Sequence, residues 1–301
     1  MSGLSQTGRD REPSRFRFRF SAPCGKLEAT HARHERQEVA PGDCSRTDGT
    51  GAGKVSERPI LPPPFRPFAV TPELDPFERC LALASEGAEA GTLLWSSGED
   101  ACECAVVLSP EQPLEQSLPI VLVAMLGLGD ALGALLPPVV AVTFGWPDRL
   151  EVNGGVVGGV RMASARTETA GAVPDWLVIG FRIAMRGRWG ETGQDRPDRT
   201  TLEEEGCGEV GILDLLEAYG RHFLGWINRW QEDGVAPVQQ AWLARATGLG
   251  KPIEVEAGGQ RRQGTFSGIT DAGALRLVRH GVTQTVSLDD AIRTPSWAVR
   301  G

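Results

Sequence analysis

Basic residues are scarce in this chain of 301 residues. It contains 31 Lys or Arg against 39 Asp or Glu, which gives a formal net charge of -8. Nucleic-acid phosphates are bound by clustered Lys and Arg, so this balance argues against a nucleic-acid partner. The scarcity is greatest between Arg79 and Arg149, where no Lys or Arg occurs. Nine acidic residues lie in the same interval: Glu86, Glu89, Glu99, Asp100, Glu103, Glu111, Glu115, Asp130 and Asp148.

Cysteine and histidine patterns that hold metals are also missing. The six Cys form no CxxC pair, and none of the four His lies near them at zinc-site spacing, so no metal site is predicted. Cys102 and Cys104 are two residues apart, the spacing of neighbours on one face of a strand. We interpret them as two reduced, half-buried thiols. Cys207 lies among acidic residues that disfavour its thiolate, and neither His222 nor His280 has a triad signature around it.

No segment is predicted to enter a membrane. The most apolar stretch, residues 118–136, is interrupted by Pro119, Asp130 and three glycines, whereas a membrane span needs about 20 mostly apolar residues. We therefore expect a buried core helix there. The N-terminus lacks the apolar region of a signal peptide, which predicts a cytoplasmic protein.

Residues 1–58 differ in composition from the rest of the chain. They are rich in Arg, Gly and Ser and poor in aliphatic side chains. An Arg-Phe alternation at residues 15–20 could form an edge strand, but no partner is evident nearby, so disorder is the favoured prediction. Two alternatives are a nucleic-acid arm, which the mixed charge disfavours, and a mis-annotated extension with translation starting near Val55.

The remaining chain predicts alternating helices and strands, then a run of strands. An Asn153-Gly154 turn between apolar runs indicates a hairpin over residues 150–162. Helices are predicted at 76–90, 116–136, 212–231 and 236–246, and strands at 91–95, 104–109, 139–144 and 175–185. Short strands at 252–256, 263–269, 274–279 and 283–287 suggest a small barrel after a boundary near residues 246–250.

Several short motifs occur in a characteristic order. They are Gly145-Trp146-Pro147-Asp148, the hairpin Asn153-Gly154 through Gly159, the strand Val178-Ile179-Gly180-Phe181-Arg182-Ile183-Ala184, and residues 264–275. Together they resemble the biotin-protein ligase and lipoate-protein ligase superfamily. The resemblance implies an α+β fold, with a class II synthetase-like mixed sheet flanked by helices over residues 61–247 and a small SH3-like β-barrel over 249–294.

The resemblance also implies a chemistry whose usual residues are absent. Family members activate a carboxylate with ATP and pass the acyl group to a lysine, using cations of a Gly-Arg-Gly-Arg-Arg-Gly-like loop and a Lys before Trp-Pro. At the loop position this chain has Ser-Ser-Gly-Glu-Asp-Ala-Cys over residues 96–102, which is short and acidic. Gly145 replaces the Lys, Gly155 and Val156 replace a hairpin Lys pair, and Arg182 and Ala184 replace a Gly and an Asn of the strand motif.

The same motifs give the candidate ligand-binding residues. They are Trp146, Pro147, Asp148, Gly159, Gly180 and Arg182, and no catalytic residue is predicted. Arg182 could fill the pocket, pair with a ligand carboxylate, or extend to the surface. The Trp-Pro-Asp segment could equally be a structural turn, although Asp148 could hold a metal or a ligand hydroxyl.

Three functional hypotheses follow. The favoured one is a ligase-like protein that has lost activation and binds a small carboxylic acid, or an acyl-carrier or biotinyl domain. The alternative is an active ligase that uses biotin or lipoate with ATP and Mg²⁺ and relies on Arg161, Arg182 or Arg186. In the third, the C-terminal barrel is a protein-contact module with the large domain as its scaffold.

Overall fold

A computed structural model describes residues 18–19, 58–167, 169, 171–187 and 198–298. The elements of its N-terminal half are β1 (Phe18–Arg19), β2 (Arg66–Val70), α1 (Pro76–Ser85), β3 (Thr92–Ser96), β4 (Ala101–Pro110), α2 (Leu114–Ser117), α3 (Ile120–Leu135), β5 (Val142–Gly145) and β6 (Arg149–Val152). The remaining elements are β7 (Gly155–Ser164), β8 (Leu177–Ala184), α4 (Ile212–Asp233), α5 (Ala236–Leu243), β9 (Pro252–Ala257), β10 (Gln260–Ile269), β11 (Leu275–Arg279), β12 (Val282–Val286) and α6 (Leu288–Ile292).

The main sheet has the strand order β2-β3-β4-β8-β7-β6-β5, and β1 pairs with β4 beside this path. Strands β2 and β3 run parallel, whereas the other neighbours are antiparallel. The predicted α+β class with a mixed sheet flanked by helices is confirmed.

The two faces of the sheet are covered by different helices. The face of β4 that carries Cys102, Cys104 and Val106 belongs to the main core cluster, together with the apolar side chains of α3 and α4. Ala105 and Val107 point to the other face, where they pack with α1. Burial on both faces explains why β4 is apolar almost throughout instead of alternating.

The apolar stretch before Pro137 is a core helix, as predicted. The segment Leu114–Leu135 is long and apolar enough to cross a membrane, but most of it is buried inside the fold. Pro119 divides this segment into α2 and α3. Helix α3 therefore lies at the centre of the main core cluster.

Several predicted elements need correction. Strand β2 was not predicted, because Pro67 lies within it; β2 is an edge strand, where proline is tolerated. Helix α6 was also missed, because only five residues follow its Ser287 N-cap. Two predicted helices end early, α1 at Ser85 and α5 at Leu243. Phe18 and Arg19 pair with Pro110 and Ser109 of β4, which fits the edge-strand alternative for residues 15–20. The other residues of 1–57 lie outside the described part of the chain, so disorder of this segment stays a prediction.

The last four strands form a small sheet at the position of the predicted SH3-like β-barrel. They make an antiparallel sheet in the order β12-β11-β10-β9, and the end of α6 reaches the β9–β10 turn through the Gly258 N–H, which donates to the Asp290 carbonyl. This sheet shares one continuous hydrophobic cluster with the main sheet, for example through Trp242 of α5 and Phe266 of β10. The C-terminal sheet is thereby held against α5, and the boundary at residues 247–249 stays a prediction.

Candidate functional site

The Trp146-Pro147-Asp148 motif forms the turn between β5 and β6. The Trp146 side chain is buried, and its Nε1 donates to the Gly273 carbonyl at 3.0 Å. The peptide bond between Trp146 and Pro147 is cis. Trp146 therefore attaches this turn to the C-terminal sheet, which fits the structural interpretation of the motif.

Asp148 is a buried acid, with only 1% of its surface exposed. Its carboxylate accepts hydrogen bonds from the Ser296 backbone N–H, 3.1 and 3.3 Å from its two oxygens, and from the Ser296 hydroxyl. Burial raises the pKa of Asp148 to about 7, against the opposing effect of the Ser296 donors and the Arg149 charge. The Asp148 oxygens are therefore engaged by Ser296, a residue that the sequence motifs did not indicate.

Gly159 and Gly180 lie where protein groups approach the sheet closely. A Cβ on Gly159 would stand 2.1 Å from the Asp148 carbonyl oxygen and 2.2 Å from Cδ1 of Trp297. A Cβ on Gly180 would stand 2.8 Å from Cδ2 of Phe77 and from the Cys104 carbonyl oxygen. Both predicted glycines are thus required by packing within the chain, and their open faces are covered by aromatic side chains.

Arg182 lies on β8, two residues after Gly180, at the centre of a row of residues paired across three strands. It is the register partner of Gly159 on β7 and of Glu103 on β4. Its Nη1 donates to Glu103 Oε1, and the two side chains are 40% and 15% exposed. The exposure matches the interpretation in which Arg182 extends to the surface, and the ion pair offsets its charge.

A second arginine, Arg161, lies on the same face of the sheet, where it is the register partner of Gly180. Arg161 of β7 donates through Nη1 and Nη2 to the two Asp75 oxygens, both at 2.7 Å, and its guanidinium lies 4.5 Å from the Phe77 ring centroid. Asp75 also caps α1 by accepting the Phe77 N–H. Burial alone would raise the pKa of Asp75, but the hydrogen bonds and charge of Arg161, together with backbone donors, outweigh it and lower the pKa. Asp75 was missed by the sequence analysis, although an Asp-Pro step before a helical pattern is a recognisable cap.

The connection at the predicted phosphate-loop position has four residues, Ser97 to Asp100. The Asp100 carbonyl accepts the backbone N–H groups of Met185 and Arg186, which fixes the connection to the end of β8. A cleft of about 430 Å³ lies beside it, lined among others by Glu99, Arg186 and Asp214. Arg186 donates to the Gly208 carbonyl, so each of Arg161, Arg182 and Arg186 has an acceptor within the chain.

Buried thiols lie on both sides of the sheet, and their thiolates are disfavoured. Cys80, Cys102, Cys104 and Cys207 are free and buried, so Cys102 and Cys104 are more deeply buried than the predicted half-buried thiols. Burial raises the pKa of Cys80 to about 12, and burial together with neighbouring charge raises those of the other three. Their thiolates are therefore disfavoured, as expected for Cys207.

Comparisons with known proteins agree with the motifs. The model of the Biotin/lipoate A/B protein ligase family matches residues 61–244. A biotin–[acetyl-CoA-carboxylase] ligase of Paracoccus denitrificans is 31% identical over 177 residues, which are 57% of this chain and 71% of that protein.

Solved structures show the same fold. A biotin protein ligase-like protein from Silicibacter sp. TM1040 is 36% identical with a TM-score of 0.69, over 77% of this chain and 97% of that chain. The biotin protein ligase from Aquifex aeolicus has a TM-score of 0.60 at 18% identity, over 74% of this chain and 95% of that chain, a likeness of fold alone. The family match, which spans more than half of the sequence and most of the main sheet, shows that this chain belongs to the biotin/lipoate A/B protein ligase family.

Proposed function

We propose that this protein binds a small carboxylic acid in a ligase-like fold without activating it through ATP. The observation that carries the proposal is the connection between β3 and β4, which has four residues and carries Glu99 and Asp100 where the family resemblance implies a cationic loop. Phosphoryl and acyl-phosphate chemistry requires cations and backbone donors aimed at the phosphate oxygens. A carboxylate beside a phosphate instead repels it, and the repulsion grows as the site becomes drier.

The charge distribution around the site supports the same conclusion. Arg161 pairs with Asp75, Arg182 pairs with Glu103, and Arg186 donates to a backbone carbonyl. A triphosphate would have to recruit these arginines away from their partners, and removing one member of a partly buried pair leaves the other uncompensated. A single carboxylate makes a smaller demand, because one arginine is enough to bind it in a bidentate manner.

The ligand and partner classes are proposed from the named relatives. The Paracoccus relative is named for attaching biotin to a carboxylase, and a structure of the Aquifex enzyme contains biotin and ATP. We propose biotin, lipoate or a related acid as the ligand, with its carboxylate at Arg182, and an acyl-carrier or biotinyl domain as the partner. The cytoplasm is the proposed location.

Exchange of labelled pyrophosphate into ATP tests the proposal. With biotin, lipoate or octanoate, we expect no exchange above a blank without acid, while an active biotin ligase assayed in parallel exchanges with biotin. Thermal unfolding with the same acids measures binding, and stabilisation of the parent should be lost in Arg182→Ala. Arg221→Ala, which changes a largely exposed arginine on α4, is the matched control. Exchange with any of the acids would refute the loss of activation, and an absence of stabilisation in the parent would refute acid binding.

A second candidate function is an active ligase with replacement residues. Arg186 favours it, because this side chain lines the cleft of about 430 Å³ beside the β3–β4 connection. Mg²⁺ bridging phosphates to Glu99 or Asp214 would offset part of the acidic charge there. If pyrophosphate exchange is found, Arg186→Ala should abolish it, whereas Arg221→Ala should leave it unchanged.

A further inference from the structure

The chain segment after α6 returns to the main sheet and covers the candidate site. Ser296 donates its backbone N–H and its hydroxyl to the Asp148 carboxylate. Trp297 is 3% exposed, and its Nε1 donates to the Val160 carbonyl at 2.9 Å. The Ala298 carbonyl accepts from Nη2 of Arg199 at 3.2 Å. We call residues 294–298 the tail segment.

The tail segment lies on residues that the motifs predict to bind a ligand. Cδ1 of Trp297 would be 2.2 Å from a Cβ on Gly159, so the indole ring contacts the bare backbone of β7. Gly159 is the register partner of Arg182, which places the indole next to the Arg182–Glu103 row. Two of the six predicted residues, Asp148 and Gly159, are thus covered by two consecutive tail residues.

Ser296 and Trp297 make the kinds of contact that a small ligand would make. Ser296 supplies two hydrogen-bond donors to a buried acid, and Trp297 supplies a flat apolar group with one further donor. A small molecule that combines an apolar ring or chain with N–H or O–H donors could make the same contacts on the same residues. The tail segment and such a molecule cannot both occupy Gly159, because the indole leaves no room for even one added carbon atom there.

We propose that residues 294–298 are an intramolecular occupant of the ligand site, which a ligand must displace before it can bind. This inference rests on the proposed function, since it assigns the ligand of that function to the surface under Ser296 and Trp297. The apparent affinity of a site that is open for only part of the time is reduced by the open fraction. The tail segment would therefore set the ligand concentration at which the protein responds.

The burial of Asp148 is consistent with a tail segment that can dissociate from this carboxyl. A carboxyl that is almost fully removed from water favours its neutral form, whereas the Ser296 donors of the docked tail segment favour the ionised form, so the two effects oppose each other. Undocking would return the carboxyl to water. The free energy of hydrating it would offset part of the free energy lost with the Ser296 and Trp297 contacts. Only a short stretch at the end of the described chain needs to move, so the core cluster stays intact.

The test uses the full chain with Trp297→Ala and Ser296→Ala, and Ser267→Ala as the matched control on an exposed position of β10. Dissociation constants for biotin, lipoate and octanoate are measured by calorimetry. Truncating a buried aromatic anchor typically weakens a contact by tenfold or more, so we expect about tenfold tighter binding by Trp297→Ala. Ser296→Ala should bind a few-fold tighter and Ser267→Ala as the parent does. Equal or weaker binding by a folded Trp297→Ala would overturn the proposal.

Hydrogen exchange on the unmodified chain gives an independent result. Addition of a ligand that binds should accelerate exchange of the Ser296 amide, which donates to Asp148 in the docked state. Binding without this acceleration would overturn the proposal even if the variants failed to fold. If no acid binds to any variant, the proposed function fails instead. A synthetic peptide of residues 288–301 then decides the inference, because binding to Trp297→Ala supports a releasable tail site and no binding refutes it.

Discussion

Replacing Asp148 with asparagine should remove a pH dependence of stability that this buried carboxyl imposes. The ordinary pKa of an aspartate is 3.8, and burial raises that of Asp148 to about 7. Between these values the folded chain holds a proton that the unfolded chain has lost. Stability from this group is therefore fully present below about pH 4 and is lost as pH rises through about 7.

The size of the effect follows from the distance between the two pKa values. One pH unit is worth about 1.4 kcal/mol, so a rise from 3.8 to about 7 corresponds to a loss of about 4 kcal/mol in the free energy of unfolding. This is an upper bound, because undocking of Ser296 and Trp297 gives the ionised carboxylate access to water without global unfolding. The asparagine side chain of Asp148→Asn would keep an acceptor for the Ser296 amide and supply a donor to its hydroxyl, so the packing should change little.

Urea unfolding of the parent and of Asp148→Asn between pH 5 and pH 9 measures this difference. We expect the variant to gain up to about 3 kcal/mol relative to the parent between pH 5 and about pH 7, since each of these two pH units contributes about 1.4 kcal/mol, and little more up to pH 9. All other titrating groups are shared, so they cancel in the difference between the two proteins. Asp175→Asn, at an exposed aspartate, should follow the parent at every pH. Parallel curves for the parent and Asp148→Asn would refute the assignment of a raised pKa to a buried carboxyl.

Substitutions of Gly159 and Arg161, each with a comparison variant, test the packing and ion pairing around the site. Gly159→Ala should destabilise the chain by at least about 2 kcal/mol, because its Cβ would meet the Asp148 carbonyl at 2.1 Å. Gly133→Ala in α3, where a Cβ meets nothing within 4 Å, should be neutral or slightly stabilising, and equal thermal unfolding of the two variants would contradict this reasoning. Arg161→Ala should cost about 1–2 kcal/mol, a figure reduced for the 38% exposure of Asp75, and Arg161→Lys should recover only part of it because lysine lacks the fork geometry. Full recovery with lysine would show that charge alone matters there.

Local patterns predicted most of the secondary structure. The hairpin around Asn153-Gly154, the core helix ended by Pro137 and the short C-terminal strands lie close to their predicted positions, because each is specified by neighbouring residues. Strand β2 was missed because its role depends on β3, the parallel partner that supplies its hydrogen bonds. The pairing of Phe18–Arg19 with β4 is also a non-local event, which the spacing within the first 58 residues does not reveal.

The motifs indicated the candidate residues but not the chain segment that covers two of them. The motifs indicated Asp148, Gly159, Gly180 and Arg182, and the structure places the last three in adjoining positions of β7 and β8. Nothing in the spacing of the motifs connects Asp148 with Ser296, 148 residues further along the chain. Contacts of this range depend on the tertiary fold, so the covering tail segment could only be recognised in the structure.

The scarcity of basic residues acquires a physical meaning in the structure. Arg161 and Arg182 lie on the sheet face that carries the candidate site, and each pairs with a carboxylate, Asp75 or Glu103. Asp148 has Arg149 as a neighbouring charge, yet burial outweighs it and the two donors of Ser296. The face therefore carries balanced ion pairs beside one buried carboxyl whose pKa is raised to about 7, which supports the proposal of a ligand with one charge and several donors. A triphosphate would require the ion pairs to open, and the free energy of opening them would have to come from phosphate contacts that the short β3–β4 connection is poorly placed to supply.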